Sequence, residues 1–188
     1  MIFVLAHGAG AGPSSPWMKR YARGLRARGL RVVTFEFPKT RSSMEPLEDA
    51  YRAVVARTRR RFPGEPIAIG GKSMGGRVAS LIAAKYTLPI ERLVFFGYPL
   101  HPPGAPEKRR DAHLPDVKQP MLFVSGARDP FGSEDEMRAL TRGLGAELLC
   151  IEGADHSLEV PKRWPVAQRV VDAQVWDRAA AFLLRQSK

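Results

Sequence analysis

The sequence predicts an α/β fold: a single doubly wound domain of about six parallel strands with helices on both faces. Apolar, strand-like runs alternate with longer amphipathic runs along the whole 188-residue chain. The strand-like runs are apolar on both faces, which is typical of a parallel sheet held between two helical layers. No repeat, low-complexity tract or linker divides the sequence, so we expect one domain over residues 1–188.

Six strands are predicted from short runs rich in aliphatic, β-branched and aromatic residues, most of them ending near glycine or proline. These strands are Ile2–Ala6, Arg31–Phe37, Pro66–Gly70, Glu91–Tyr98, Pro120–Ser125 and Ala146–Glu152. Right-handed crossovers bring the loops that follow parallel strands to one edge of the sheet, where such folds bind ligands. Functional side chains are therefore expected directly after strands.

Five helices are predicted from longer segments of helical composition between and after these strands. These helices are Pro16–Arg28, Glu45–Arg61, Gly75–Lys85, Glu134–Leu144 and Val166–Arg185. The alternation of strands and helices supports right-handed strand–helix–strand units throughout.

The composition excludes several classes of protein. An apolar fraction of 44% and a charged fraction of 26% are ordinary for a globular domain. The longest apolar runs, such as Leu93–Phe96, are too short to span a bilayer, and Met1–Ala6 reads as a strand and not as a signal peptide. We therefore expect a cytoplasmic protein without a membrane partner. Cys150 is the single cysteine, which excludes an intramolecular disulfide and a thiolate zinc site.

The net charge of +11 raises the question of a nucleic-acid partner. Such a surface gathers its cations on one face among aromatic residues, whereas lysine and arginine are scattered along this chain. The densest runs are Arg59–Arg61, at the end of a predicted helix, and Lys108–Arg110, in a Pro-rich loop. We expect a solvated basic surface and no nucleic acid. Arg109 and Arg110 are candidates for attracting an anionic substrate, in which case added salt should raise KM.

The turn Gly71-Lys72-Ser73-Met74-Gly75 fits the pattern G-x-S-x-G. A buried strand leads into it and a helix rich in small residues follows, which is the setting of a nucleophile elbow. There a strained turn lifts the serine hydroxyl above the sheet edge, so Ser73 is the candidate nucleophile. The alternatives are a Gly-rich turn with an N-capping serine or a phosphate-binding turn, although the spacings of the P-loop and dinucleotide motifs are absent.

A serine hydroxyl needs a base to take its proton. His156 follows the last predicted strand, and Asp129 follows the strand before it, so both are expected at the same edge as Ser73. Asp155 is the rival acid. It is adjacent to His156 in the sequence, so its carboxylate would have to fold back on its neighbour to reach the distal nitrogen of the imidazole ring. The order Ser73, Asp129, His156 is that of the α/β hydrolases. The alternatives are an exposed loop histidine and a turn aspartate before proline.

The loop His7-Gly8-Ala9-Gly10-Ala11-Gly12 follows the first strand. Its small residues expose backbone N–H groups, and we predict that those of Ala9 and Met74 form an oxyanion hole. His7 is expected to organise the loop and not to act as a second base. The alternative is a flexible Gly-rich turn.

These elements, with Tyr98–Gly104, resemble the α/β-hydrolase superfamily over nearly the whole chain. They are most similar to a small, lid-less branch that includes dienelactone hydrolases and testis-expressed hydrolase-like proteins. The resemblance implies a catalytic triad of Ser73, Asp129 and His156 and esterase chemistry. Two departures accompany it: the two extra strands at the start of larger members are missing, and Pro99–Gln119 is too short and Pro-rich for a helical lid.

The sequence thus predicts a serine hydrolase, carboxylesterase-like, that cleaves small carboxylic esters through an acyl-enzyme without a metal or organic cofactor. His101 and Tyr98 are candidate substrate contacts, and the Lys72 side chain is expected to point away from the nucleophile. The first alternative is a non-catalytic binding or assembly protein that keeps the hydrolase fold. The second is a nucleic-acid binder, which only the charge favours. The natural substrate, acyl transfer in place of hydrolysis, and the oligomeric state stay open.

Overall fold

The computed structural model describes residues 1–40 and 43–185. Within them six strands form one parallel sheet in the order β2-β1-β3-β4-β5-β6. Its strands are β1 (Ile2–Ala6), β2 (Arg31–Thr34), β3 (Ile67–Lys72), β4 (Arg92–Phe96), β5 (Met121–Gly126) and β6 (Glu147–Ile151). The predicted doubly wound α/β domain with about six parallel strands is confirmed.

Five α-helices accompany the sheet in the described part of the chain. They are α1 (Pro16–Arg26), α2 (Glu45–Arg61), α3 (Met74–Lys85), α4 (Glu134–Leu144) and α5 (Gln168–Leu183). The α4 helix begins with a capping box, in which the Ser133 hydroxyl accepts from the Glu136 N–H while the Glu136 carboxylate accepts from the Ser133 N–H. None of these helices is both long and apolar enough to cross a membrane.

The side chains of each strand alternate between two apolar cores, one on either face of the sheet. In β1, Ile2 and Val4 pack with α2 and α3, whereas Phe3 and Leu5 pack with α1 and α5. Every β1 residue is buried because helices cover both faces. The sheet is therefore rigid where its strands end, which suits a site that needs fixed geometry.

The strand order changes direction at β1, because β2 is added on one side of β1 and β3 to β6 are added on the other side. Open α/β sheets bind ligands in the crevice at such a switch point, beyond the carboxyl ends of the strands. The loop after β1 and the turn after β3, which carries Ser73, meet there.

Strand β2 is shorter than predicted: it ends at Thr34, so the prediction of strand through Phe37 was wrong. Beyond Thr34 the backbone leaves the β1 ladder, and the Phe37 N–H donates to Nε2 of His7 at 3.1 Å. Phe35 and Phe37 instead contact Tyr51 of α2 through their rings. The His7 imidazole thus accepts the Phe37 N–H in place of a main-chain carbonyl of the sheet. A hydrophobic pattern does not reveal a hydrogen bond of this kind.

The segment from Pro99 to Gln119 contains no α-helix, only a short 3₁₀ turn at Leu114–Asp116. Leu100 and Leu114 are buried in the core on the α3 side of the sheet, and His113 Nε2 lies 2.8 Å from the Ser80 hydroxyl of α3. This segment is packed along α3 as part of the domain.

Candidate active site

Ser73 is the single residue between the end of β3 and the start of α3, and its backbone is strained. Its φ of 50° and ψ of −117° are rare for a residue with a side chain. The conformation is held on both sides, because the Ser73 N–H donates to the Phe96 carbonyl at 2.9 Å and the Ser73 carbonyl accepts from the Arg77 N–H at 3.1 Å. Such a turn costs on the order of 1–3 kcal/mol and persists only when its surroundings fix it.

Two glycines around Ser73 are required by close approach of the β1 backbone. A Cβ on Gly71 would lie 2.5 Å from the Ala6 carbonyl oxygen, and one on Gly75 would lie 2.6 Å from the His7 carbonyl oxygen. Both distances are far below an ordinary carbon–oxygen contact. The two glycines of the G-x-S-x-G pattern therefore let the β1 loop and the Ser73 turn pack against each other.

His156 joins the hydroxyl of Ser73 to the carboxylate of Asp129. Its Nε2 lies 2.9 Å from Ser73 Oγ, and its Nδ1 lies 2.8 Å from Asp129 Oδ2. The carboxylate accepts from Nδ1–H, which leaves Nε2 free to accept from the hydroxyl. The Asp129 side chain is 1% exposed and that of His156 is 19% exposed. The carboxylate is therefore shielded from solvent, whereas the imidazole is partly accessible to it.

Phe131 and Gly97 hold this arrangement, and neither is among the residues predicted from the sequence. The Phe131 N–H donates to Asp129 Oδ1 at 2.9 Å, while the Phe131 ring stacks on the His156 imidazole at 4.2 Å. Gly97 has a φ of +60°, and a Cβ there would lie 2.5 Å from the His156 carbonyl oxygen. A glycine inside the predicted fourth strand, Glu91–Tyr98, was the available signal for Gly97, because glycine within a strand often marks a close approach of another backbone. Nothing in the local sequence distinguishes Phe131.

Asp155, the rival acid, has other partners. Its Oδ1 accepts from the N–H groups of Ser157 and Glu159, at 2.7 and 3.0 Å. It therefore shapes the loop that carries His156, and the structure brings Asp129, not Asp155, to the imidazole.

His7 organises the loop after β1, as its position predicts. Its Nδ1–H donates to the Gly8 carbonyl at 2.9 Å, and its Nε2 accepts from the Phe37 N–H. Both ring nitrogens are thus occupied in the neutral ring, which is buried. The exposed carboxylate of Glu36 approaches Nε2 at 3.3 Å.

The two predicted oxyanion donors lie on either side of the same opening. Met74 is the first residue of α3, so its N–H has no acceptor within the helix. Across residues 1–40 and 43–185 the Ala9 N–H likewise has no protein acceptor. Ala9 and Met74 both line one cleft.

That cleft has a volume of about 780 Å³ and lies between the β1 loop and the segment after β2. Its apolar lining comes mainly from Phe37, Pro38, Leu47 and Met74. Sites for small organic ligands have comparable volumes, roughly 300–1,000 Å³, and are mostly apolar. The described residues hold no cluster of three or more His, Cys, Asp or Glu that suits a metal ion.

Tyr98 and His101, the candidate substrate contacts, are buried and bonded within the protein. The Tyr98 hydroxyl donates to the Arg110 carbonyl at 3.1 Å, and burial raises the pKa of Tyr98 to about 12. His101 Nδ1–H donates to the Pro102 carbonyl at 2.8 Å, which raises the pKa of His101, and Nε2 lies 3.3 Å from Glu136. Neither residue lines the cleft, so a substrate contact by either stays a prediction without support from the geometry.

The Lys72 side chain turns away from the nucleophile, as expected. Its ammonium group donates to Ser157 Oγ at 2.8 Å and lies 5.4 Å from the ring centre of Trp17. Burial lowers the pKa of Lys72. The bond ties the residue before Ser73 to the residue after His156.

Arg109 and Arg110 differ sharply although they are adjacent. The Arg109 guanidinium is paired with both carboxylate oxygens of Asp111 and lies 4.0 Å from Glu136. Arg110 has no carboxylate partner in the described part of the chain. Burial lowers the pKa of Arg110, as does the nearby Arg77.

Comparison with known proteins gives one family and many similar folds. The family model described as "Alpha/beta hydrolase domain" matches residues 1–184. An esterase from Pyrococcus furiosus is 17% identical with a TM-score of 0.77, covering 97% of this chain and 79% of its own. An α/β serine hydrolase homologue from Coxiella burnetii is 15% identical with a TM-score of 0.76, covering 97% and 85%. A lid-less α/β serine hydrolase from Xanthomonas campestris is 18% identical with a TM-score of 0.75, covering 99% and 84%.

Proposed function

The chain belongs to the α/β-hydrolase domain family, and from that premise we propose that it is a serine esterase acting on small carboxylic esters. One observation carries the proposal: a single imidazole lies within hydrogen-bond distance of both the Ser73 hydroxyl and the buried Asp129 carboxylate. Nucleophile, base and orienting acid in this relation make an alcohol reactive.

In the proposed reaction, Ser73 Oγ attacks the ester carbonyl carbon while His156 Nε2 takes the hydroxyl proton. Asp129 holds the ring in the tautomer with Nδ1–H and stabilises the imidazolium that forms. The carbonyl oxygen becomes an oxyanion, which the N–H groups of Ala9 and Met74 would bind. The imidazolium then gives its proton to the departing alcohol, leaving the acyl group on Ser73.

Water completes the proposed cycle. His156 removes a proton from a water molecule, the resulting nucleophile attacks the acyl carbon, and the proton passes to Ser73 as the acid leaves. No step needs a metal or an organic cofactor. The imidazole must be neutral to accept the proton in both halves of the cycle.

The cleft offers room for the substrate beside the two proposed oxyanion donors. Its volume of about 780 Å³ and its partly apolar lining, which includes Ala9 and Met74, can accommodate the acyl or alkyl group of an ester. Since Pro99–Gln119 packs along α3, we propose an open site for small or surface-presented esters. A cytoplasmic location and the absence of nucleic-acid and membrane partners stay predictions.

Hydrolysis of p-nitrophenyl acetate, butyrate and octanoate tests the proposal. The wild type should hydrolyse the short esters, and Ser73→Ala should lose about 10⁶-fold in kcat because it has no nucleophile. Asp129→Asn should lose about 10⁴-fold because the ring then takes the wrong tautomer. Asp155→Asn is the matched control and should keep its rate within a few-fold. An inactive wild type would favour the non-catalytic binding protein instead.

A further inference from the structure

The hydrogen bond between His156 and Ser73 joins two separate parts of the chain, and a second bond joins the same two parts. Ser73 lies in the turn after β3, and His156 lies in the loop after β6, residues 152–160, which we call the His156 loop. The Lys72 ammonium donates to Ser157 Oγ at 2.8 Å. Lys72 immediately precedes Ser73 in the sequence, and Ser157 immediately follows His156. A second bridge thus joins the residues next to the nucleophile and the base.

Other hydrogen bonds anchor the His156 loop to helices and not to the turn after β3. The Trp17 indole N–H of α1 donates to the Ser157 carbonyl at 3.0 Å. The Gln168 side chain of α5 accepts from one main-chain N–H of the loop at 2.8 Å and donates to one main-chain carbonyl at 2.9 Å. Among the hydrogen bonds in the described part of the chain, only those of Lys72 and of His156 itself connect this loop to the turn after β3.

The His156 loop needs support from outside because part of its backbone is strained. Leu158, two residues after His156, has a φ of 60°, which is rare for a residue with a side chain. The Leu158 side chain is fully buried, so the loop cannot relax by turning it into solvent without exposing apolar surface. Strained backbone persists only where its surroundings fix it. The position of the imidazole therefore depends on contacts from outside the loop, and Lys72 supplies one of them.

The Lys72 side chain is itself held in place. Its ammonium group lies 5.4 Å from the ring centre of Trp17, within the range of a cation–π interaction. The residue is half-buried, and this burial lowers the pKa of Lys72, while the negative charges of Glu159 and Asp155 act in the opposite direction and favour the ammonium. An ammonium group with a hydroxyl acceptor, an aromatic face and a half-buried stem keeps one position, as a bridge between two loops requires.

We propose that Lys72 is a positioning residue of the active site, which acts through Ser157 to hold His156 at hydrogen-bond distance from the Ser73 hydroxyl. The inference rests on the proposed esterase function. Neither Lys72 nor Ser157 lines the cleft beside Met74, so the bridge acts on the imidazole and not on the substrate. A misplacement of about 1 Å costs on the order of 100-fold in rate, so a small relaxation of the His156 loop is enough to slow the reaction.

Substitutions at both ends of the bridge test the assignment with p-nitrophenyl acetate. Lys72→Met keeps an unbranched stem but cannot donate, so kcat should fall at least about tenfold while KM changes less than twofold. Ser157→Ala removes the acceptor and should show the same split between kcat and KM. The double variant should lose no more than either single variant, because both substitutions break one bond. Lys72→Arg should recover most of kcat, since a guanidinium group can donate to the hydroxyl and stack on Trp17.

Two further lysines serve as controls. Lys19→Met removes the same charge from an exposed position on α1, and its kcat should stay within twofold of the wild type. Lys85→Met breaks an ion pair at the opposite end of α3 from Ser73, so the folded protein should keep its kcat although its stability falls. Unchanged kcat in folded Lys72→Met, or losses that add in the double variant, would overturn the assignment. Ser157→Ala carries the test by itself if Lys72→Met does not fold.

Nuclear magnetic resonance of the imidazole separates this inference from the proposed function. The ring signals of His156, identified by their absence from His156→Ala, should shift in Lys72→Met and in Ser157→Ala. They should stay at their wild-type positions in Lys19→Met. If no ester is hydrolysed but these shifts are present, the esterase proposal fails and the positioning role stands. If esters are hydrolysed and neither the ring signals nor kcat change in Lys72→Met, the positioning role fails and the esterase stands.

Discussion

Gly97→Ala is expected to slow ester hydrolysis by displacing His156. Gly97 has a φ of +60°, and the Cβ of an alanine there would lie 2.5 Å from the His156 carbonyl oxygen and 3.3 Å from its Nδ1. The carbonyl must retreat by roughly 0.8 Å to restore an ordinary carbon–oxygen separation of about 3.3 Å. The imidazole moves with it, away from Ser73 and Asp129.

The expected size of the effect follows from that displacement. A misplacement of about 1 Å costs on the order of 100-fold in rate, so kcat/KM should fall roughly 30- to 100-fold, or about 2–3 kcal/mol. The positive φ adds about 1–2 kcal/mol of destabilisation for a residue with a Cβ. For a chain of this length each kcal/mol lowers Tm by about 2–4 °C.

Gly145→Ala is the matched control for backbone strain. Gly145 has a φ of +61° at the end of α4, and no atom lies within 4 Å of its would-be Cβ. Its Tm should fall by a similar amount while its ester hydrolysis stays at the wild-type rate. Wild-type activity in folded Gly97→Ala, or equal losses of activity in both variants, would refute the steric argument.

Three further changes are expected to act on stability, each measured by chemical denaturation. Tyr51→Phe should cost about 1–3 kcal/mol, because the Tyr51 hydroxyl accepts from the Gly70 N–H at 2.9 Å and donates to a main-chain carbonyl in the core; a neutral result would contradict this. Lys85→Met should cost about 3 kcal/mol by leaving the Glu48 carboxylate, 3% exposed, without its cation, and adding Glu48→Gln should recover much of the loss. Burial, with cations nearby, lowers the pKa of His113 to about 4. Between about pH 4 and pH 6.5 the histidine is therefore protonated in the unfolded chain but neutral in the folded chain. The wild type should therefore lose about 1 kcal/mol relative to His113→Gln as pH falls from about 6.5 to about 4, and parallel curves would refute this.

The sheet and its helices were predictable because each strand carries a continuous apolar run and helices cover both faces. The ends of elements were harder to predict where side chains replace main-chain partners. The β2 strand stops at Thr34, and beyond it the Phe37 N–H donates to His7, a contact between residues 30 positions apart. The α1 helix ends at Arg26, two residues before the prediction, and Gly29, with a φ of +85°, lies in the turn that follows.

Within the site, the G-x-S-x-G turn nominated Ser73, and the order of the strands nominated Asp129 and His156, because the loops after parallel strands share one edge. The supporting residues depend on side-chain directions that a sequence pattern does not contain. Phe131 was missed because its stacking on His156 joins two separate loops. Tyr98 was a candidate substrate contact because it ends the predicted fourth strand at the active edge, but its hydroxyl points towards Ser80 and the Arg110 carbonyl.

The central claim is that the Ser73 hydroxyl is activated by His156, and covalent labelling measures this directly. Intact-protein mass spectrometry after exposure to a fluorophosphonate should show one adduct, mapped to Ser73 and absent from Ser73→Ala. His156→Ala should be labelled at least about 10²-fold more slowly, since the hydroxyl then has no base. Failure of the wild type to react, or equal labelling rates in the wild type and His156→Ala, would contradict the account.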